Sequence, residues 1–481
     1  MRRHRVFAGL LVVGAVLRLV ALLSFRPALE FLQDSYQYLL NAQHLQPDVA
    51  RPLLYPVGLR GVSWLGGVGL LVALQHAVVL AAAALLYAAL CRSGLRRWLA
   101  ALATAPLLLD AYQINIEQFV LSEVLFEVLL ILATACLLWR ARLSTRAATV
   151  AGLAVAGLAL TRSVGVTLIL PALLLLLVRR VGWRPSVAFA AAVAVPLLGY
   201  ASWFSAVHGS PGLQRYTGMT LASQAMTIAD CRHLRIPAEE RPLCVPQPIQ
   251  RRHTSDWYAQ FPTSPLRRLV IPPGHSYDSV ARDFADRVIQ AQPGAFALLT
   301  GRTFSHYFKP GRSSGSTDTP DRNWRFAAVQ LPIRIYTLHQ LPDPYRGSLP
   351  YFGGDGPVTV AGYGFGGAHT VPTIWRPGQR ALADYQRFAY TPGPLLALCA
   401  PLAAVAGLGR LPPDLRRLRW NALFLAASAI VLLLTSALTA TFDFRYLLPE
   451  LPLLPAAGAL AGELVARRLH PQSPDPEPVG H

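Results

Sequence analysis

Long apolar runs alternate with short polar segments along most of the chain. A helix that crosses a membrane needs about 20 mostly apolar residues, and several runs reach or approach this length. Six strong runs are 6–24, 68–90, 119–138, 186–205, 421–441 and 446–465, and two weaker ones are 98–110 and 394–408. The pattern predicts an all-α protein that crosses a membrane many times.

Residues 147–178 form one apolar stretch that is too long for a single span. As one helix with a rise of about 1.5 Å per residue, it would far exceed the ~30 Å thickness of a bilayer core. A division at "LTRSV" gives two short spans with Arg162 at the turn between them. The predicted number of transmembrane helices is therefore about ten.

The distribution of arginine supports this division, because cytoplasmic loops carry an excess of Lys and Arg. With ten spans and a cytoplasmic N-terminus, most arginines near the membrane lie at inner ends. The short outer loops then hold Arg26, Arg51, Arg60, Arg162 and Arg445. A single span over 147–178 would reverse the later helices and remove the bias. We therefore expect a multi-pass plasma-membrane protein with a retained first helix and both termini in the cytoplasm.

Residues 207–392 are too polar for a membrane span and too long for an ordinary loop. The predicted organisation is seven helices in 1–206 with a functional outer loop at 25–67, a mixed extracytoplasmic domain at 207–392, three helices in 393–468, and a cytoplasmic tail at 469–481. Within the outer segment, 278–299 indicates an amphipathic helix broken at Pro293, and the glycine-rich stretch 351–370 indicates a loop.

Cys231 and Cys244 both lie in the segment 207–392. Because compartments outside the cytoplasm are oxidising, a disulfide between them is favoured, and two free thiols are the alternative. In the chain-entropy model, a bridge that closes a loop of this size contributes about 3 kcal/mol.

Composition agrees with a membrane protein, since 14% of the residues are charged where soluble proteins have roughly 25%. The net charge of +19 comes almost entirely from arginine. A basic chain can indicate a nucleic-acid or a lipid partner, but the topology already accounts for these arginines. We therefore expect a membrane and no nucleic acid as partner.

Two arginines at outer helix ends lack an obvious local explanation. Arg445 lies near the N-terminus of the last span, where the helix dipole disfavours a cation, so it requires an anion such as Asp443 or a ligand phosphate. The planar guanidinium suits phosphate because it donates two parallel bonds. Arg162 is either an interfacial anchor or a second phosphate ligand.

The acidic residues cluster at the same outer ends. Glu123 lies in the first turn of its helix after Ser122, a possible cap, so it either complements the dipole or faces Asp34 as a second carboxylate. Asp34, in "FLQDSYQYLLNAQHLQ", fits an N-cap with Gln37 at N3, as in a capping box. The alternative is a catalytic base at the bilayer surface.

These residues lie in motifs that resemble those of the membrane-embedded GT-C glycosyltransferases. The motifs, in order, are "QDSYQYL", "RPLLYPVGL", the "SE" at Ser122, "LTRSVG" with "LILP", and "FRYLLPELPLL". The chain is most similar to glycosyltransferase family 39, which includes protein O-mannosyltransferases and lipid A aminoarabinose transferases. The resemblance covers about residues 1–206 and 393–468.

The resemblance implies inverting transfer of a sugar from a polyprenyl-phosphate donor to a hydroxyl of a glycan, lipid or protein acceptor. By carry-over it implies Asp34 as the general base, and we expect Glu123 as the second catalytic carboxylate. A leaving phosphate needs cations, so we expect Arg51, Arg162 and Arg445 as donor-phosphate ligands. The tyrosines expected in the substrate site are Tyr36, Tyr38, Tyr55 and Tyr446. No cofactor is predicted. The resemblance is compatible with a divalent metal ion, because some relatives use one.

Two other functions fit the composition. A lipid or sugar transporter is disfavoured because the polar residues crowd the outer helix ends and no inverted repeat is evident. A non-catalytic membrane scaffold, whose outer domain binds a polymer or a partner protein, is the second alternative.

Overall fold

The computed structural model describes residues 4–29, 31–261, 263–314, 321–327 and 373–470. In these residues the protein is mostly helical. Two short strands, β1 (Phe25–Arg26) and β2 (Thr373–Ile374), pair antiparallel with Phe25 opposite Ile374. The loop predicted at 351–370 and nearly all of the tail predicted at 469–481 lie outside the described residues.

The helices of the first half are α1 (Arg5–Ser24), α2 (Leu32–Gln43), α3 (Leu54–Ser63), α4 (Val68–Arg92), α5 (Arg97–Leu109), α6 (Ala111–Glu117), α7 (Glu123–Leu138), α8 (Thr145–Thr161), α9 (Ile169–Val178) and α10 (Trp183–His208). Those of the second half are α11 (Thr217–Ile228), α12 (Ser255–Gln260), α13 (Tyr277–Ala291), α14 (Pro293–His306), α15 (Arg376–Gln386), α16 (Gly393–Ala406), α17 (Pro413–Thr439) and α18 (Glu450–Leu469).

The chain is a helical membrane protein with fewer clear spans than the predicted ten. Five described helical segments are long and apolar enough to cross a membrane, namely Arg5–Ser24, Val68–Arg92, Trp183–His208, Leu415–Thr439 and Phe444–Leu469. The pair α5 and α6, bent by 51°, makes a sixth if it counts as one span. Ten spans are not confirmed, because α7, α8, α9 and α16 have only 10 to 17 residues each.

The predicted division of 147–178 is confirmed. Helix α8 ends at Thr161, and a 3-10 turn over Ser163–Leu168 follows Arg162. A Cβ on Gly165 would lie 2.5 Å from the carbonyl carbon of Leu158. Glycine therefore allows the turn to fold back against α8 at this position.

A buried polar network supports the bend between α5 and α6. Asp110 ends α5 and caps α6 by accepting a hydrogen bond from the amide of Tyr112 at 2.9 Å. Arg18, in the middle of α1, donates to the carbonyl oxygens of Leu107 and Leu108 at 2.9 and 2.8 Å, which the bend leaves without helical partners.

The same arginine pairs with Glu117, which also hydrogen-bonds the imidazole of His76 at 2.7 Å and the side-chain amide of Gln113 at 3.1 Å. The Arg18–Glu117 ion pair spans 2.6 Å, and both side chains are almost completely buried. This network ties α1 and α4 to α6.

Helices α11 to α13 form a second hydrophobic cluster around Met219, Met226, Tyr258 and Phe284. The structure joins Cys231 and Cys244 in a disulfide. Helix α13 ends at Ala291 and α14 begins at Pro293, so the predicted break of this amphipathic segment is present.

Candidate functional site

Asp34 does not cap a helix, so the predicted capping box is wrong. Helix α2 begins two residues earlier at Leu32, with Phe31 at the N-cap position. The side chain of Gln37 donates instead to Asn41 at 2.9 Å and to Asp48 at 3.0 Å. The carboxylate of Asp34 is thus available for partners outside its own helix.

Two guanidinium groups, one early and one late in the sequence, bind the Asp34 carboxylate. Arg51 donates to Oδ1 of Asp34 and Arg445 donates to Oδ2, each at 2.5 Å. Burial raises the pKa of Asp34, but the charges and hydrogen bonds of the two arginines outweigh burial and hold the pKa well below its ordinary value. Asp34 is therefore ionised at neutral pH.

Asp48 positions Arg51. One carboxylate oxygen of Asp48 accepts from the amides of Ala50 and Arg51 at 2.8 and 2.9 Å, forming a tight turn. The Arg51 guanidinium then lies over the ring of Tyr38, 4.7 Å from its centroid. This arrangement directs Arg51 back toward α2.

Arg445 lies in a 3-10 turn, Phe444–Leu447, immediately before α18. Asp443 caps this turn by accepting from the Arg445 amide at 3.1 Å, and its second oxygen lies 3.0 Å from Nε of Arg445. The local ion pair that the sequence suggested is therefore present. Burial raises the pKa of Asp443 to about 6, although the Arg445 charge opposes the shift.

Glu123 and Arg162 form the next ion pair of the site. Oε1 of Glu123 also lies 3.7 Å from Nη1 of Arg445, which links this pair to Asp34. Ser122 occupies the N-cap position of α7 without a capping hydrogen bond, so its predicted role as a cap is wrong. Its hydroxyl instead hydrogen-bonds the Tyr38 hydroxyl at 2.7 Å.

The predicted tyrosines differ in their positions. Tyr38 and Tyr55 meet edge to face at 4.9 Å, and the Tyr55 hydroxyl donates to Gln75 at 3.2 Å. Two guanidiniums lie near the Tyr446 ring, that of Arg445 at 5.1 Å and that of Arg162 at 5.3 Å from its centroid. Tyr36 is in α2, but its side chain lies outside the described residues.

The structure therefore brings the predicted carboxylates and arginines into one arginine–carboxylate cluster. We define this cluster as Asp34, Arg51, Glu123, Arg162, Asp443 and Arg445. Its three arginines and three carboxylates balance in charge. An incoming anion must therefore compete with a carboxylate for the guanidiniums.

A cavity adjoins the cluster between α7, α17 and α18. Its polar wall consists of Glu123, Arg162, Arg445 and the Tyr446 ring, and its apolar wall includes Phe126 and Leu432. The volume is about 20 Å³, which is room for about one water molecule. A sugar phosphate would have to open this cavity.

Sequence reasoning missed part of the site and its support. The sequence assigns no role to Asp48, because its turn depends on backbone amides. The network of Arg18, His76 and Glu117 was also missed, although an arginine inside the apolar run of α1 is itself an indication of function or buried pairing. Among the described residues, no group of three or more His, Cys, Asp or Glu side chains could hold a metal ion.

Comparisons with known proteins give little further information. No protein-family model and no curated protein sequence matches the chain. A solved structure of the S. cerevisiae protein O-mannosyltransferase Pmt1–Pmt2 complex bound to the sugar donor is similar over 49% of this chain and 38% of that chain. The identity is 16% and the TM-score is 0.35, a likeness too low to support an argument about function.

Proposed function

We propose that the chain is a membrane glycosyltransferase of the GT-C type. It transfers a sugar from a polyprenyl-phosphate donor to a hydroxyl group of a glycan, lipid or protein acceptor. The observation that carries the proposal is the Asp34 carboxylate held between Arg51 and Arg445, with the Glu123–Arg162 pair beside it. A base and several phosphate ligands are the groups that this reaction requires.

The proposed reaction is a single displacement with inversion. The acceptor oxygen attacks the anomeric carbon while Asp34 takes the hydroxyl proton. The bond between the anomeric carbon and the phosphate oxygen breaks, and the phosphate keeps the electron pair. Arg51, Arg162 and Arg445 stabilise the charge that develops on the leaving phosphate, which is a large contribution in a site that excludes water.

The depressed pKa of Asp34 gives this mechanism an order of events. While both arginines hold the carboxylate, it is a weak base. When the donor phosphate enters, Arg51 and Arg445 turn toward it, and Asp34 loses partners that stabilise its charged form. The pKa of Asp34 then rises, so the base becomes effective only after the donor has bound.

The surroundings suit a lipid-linked donor. The cavity beside Arg162 and Arg445 has an apolar wall that includes Phe126 and Leu432, next to which a polyprenyl chain would lie. In this proposal the site faces outward, both termini are in the cytoplasm of a plasma-membrane protein, and the segment 207–392 is an extracytoplasmic domain that shapes the acceptor site.

The experiment offers the purified full-length protein a panel of polyprenyl-phosphate hexoses and pentoses with candidate acceptors, and measures donor consumption. We expect consumption of at least one donor, and a large loss in Asp34→Asn with the fold retained. Absence of turnover with every donor would contradict the enzyme. Accessibility of a tag in 250–300 only from the cytoplasm would contradict the outward site.

A further inference from the structure

A second cavity lies at the opposite end of the bundle from Asp34. It is formed where α1 and α5 begin and where α4 and α18 end, and its volume is about 660 Å³. Helix α1 has 20 residues and is therefore about 30 Å long, which separates this cavity from the loop that carries Asp34. The sugar-transfer proposal uses none of its residues.

The cavity is strongly basic. Four arginines line it, namely Arg5, Arg96, Arg97 and Arg467. Glu463 pairs with two of them, at 3.4 Å from Arg96 and 2.8 Å from Arg467. Within the described part of the chain, no carboxylate pairs with Arg5 or Arg97, so two guanidiniums remain without a counter-charge.

Two helix N-termini add to this charge. Helices α1 and α5 both start at the cavity, and their N-cap residues, His4 and Arg96, make no capping hydrogen bond through their side chains. Neither described first turn contains an acidic residue, although an acid is the usual complement to the positive end of the helix dipole. The backbone therefore reinforces the arginines in attracting an anion.

Apolar side chains line the cavity beside the arginines. Val6 and Trp98 are about half exposed, at 53% and 51%, and both line the cavity. Tryptophan is enriched where a membrane meets water. A ligand with an anionic head and an apolar body would thus find partners for both parts in one place.

We propose that this cavity binds the phosphate-bearing headgroup of an anionic phospholipid. Basic pockets between transmembrane helices are suited to such headgroups, and the volume falls within the range of small-molecule sites. Arg5 and Arg97 donate to the phosphate, while the acyl chains pass Val6 and Trp98. The bound lipid joins the start of α1 to the start of α5.

The test uses the full-length protein in nanodiscs of phosphatidylcholine with or without phosphatidylglycerol. Native mass spectrometry counts retained lipid, and the melting temperature reports stabilisation. The variant is Arg5→Gln/Arg97→Gln. Neither arginine pairs with a carboxylate in the described residues, so the Glu463 pairs with Arg96 and Arg467 stay intact. The matched control is Arg140→Gln/Arg142→Gln, which removes the same charge from exposed residues outside the cavity.

We expect phosphatidylglycerol to be retained and to raise the melting temperature of the parent and the control. We expect the cavity variant to bind it about tenfold more weakly, since each arginine near an anionic headgroup contributes measurably. Equal retention by all three proteins would overturn the proposal. If inorganic phosphate alone stabilises the parent as much as phosphatidylglycerol does, the anion comes from solution and the assignment to a lipid is overturned.

Discussion

Replacing Asp34 with asparagine tests whether Asp34 is a catalytic base or only holds Arg51 and Arg445 in place. The amide has the same shape but neither the charge nor the basicity. If Asp34 takes the acceptor proton, its loss lowers kcat by about 10²- to 10⁴-fold, the usual contribution of a general base. The same change removes an anion that competes with the donor phosphate for Arg51 and Arg445.

The effect on donor binding has the opposite sign. Two anions that share a guanidinium lie roughly 6 Å apart and repel each other by about 3 kcal/mol at an effective dielectric constant of ~20. The Asp34 side chain is 13% exposed, and solvent there reduces this repulsion. We therefore expect Asp34→Asn to bind the donor about tenfold more tightly, since ~1.4 kcal/mol corresponds to a factor of ten.

The assay measures both quantities on one preparation. Donor affinity is obtained from a polyprenyl-phosphate sugar titrated without acceptor, and turnover from release of labelled sugar with acceptor. Asp230→Asn is the matched control, because Asp230 forms an exposed pair with Arg232 at 2.6 Å away from the site. Weaker donor binding with kcat at the parent value would refute the assignment of Asp34 as base.

Three further predictions concern pH and packing. The acid limb of kcat lies at higher pH than that of kcat/KM. The arginines depress the pKa of Asp34 in the free enzyme, and this pKa rises in the donor complex because they turn to the phosphate. The pH profiles of the two constants measure the separation. Arg18→Met destabilises the protein by about 3–5 kcal/mol, because it leaves Glu117 buried without its arginine, and denaturation in detergent measures the loss. Gly218→Ala lowers stability by about 1–3 kcal/mol, because its Cβ would lie 2.0 Å from a carbonyl oxygen of α13; thermal unfolding compares it with Gly301→Ala, whose Cβ has nothing within 4 Å.

The contrary results are equally specific. If the acid limbs of kcat and kcat/KM coincide, donor binding leaves the pKa of Asp34 unchanged, which contradicts the proposed order of events. Arg18→Met/Glu117→Gln, which removes both charges, should recover much of the stability, and no recovery would contradict the ion-pair explanation. Equal melting temperatures for the two glycine variants would contradict the close approach of α11 and α13.

The sequence contained enough information to place the charged groups of the site near one another. Arg162 and Glu123 lie at helix ends that the arginine distribution predicts on one side of the membrane. Side chains at the same end of a small helical bundle lie close together. The break at Arg162 followed from length and from the arginine distribution, because a helix over 147–178 would be too long for a bilayer and would remove the arginine bias.

The details that failed depend on contacts between distant residues. Asp34 matches a capping box locally, yet helix α2 starts at Leu32. The carboxylate bonds instead to Arg51 and to Arg445, which lies 411 positions away. Ser122 likewise uses its hydroxyl on Tyr38. Local patterns describe which bonds a side chain can make, and packing decides which of them form. The ten predicted spans are not confirmed, because α7, α8, α9 and α16 are short for isolated spans.

The ion pair between Asp34 and Arg445 joins residues that are 411 positions apart. During synthesis, the loop with Asp34 leaves the ribosome long before the segment with Arg445, so the incomplete chain carries this carboxylate with only one of its two cations. The site is completed when the last helix inserts beside the first loop. In the proposed mechanism, a protein truncated before Phe444 lacks Arg445 and would be inactive even if the helices before it fold, so unfinished chains would not transfer sugar.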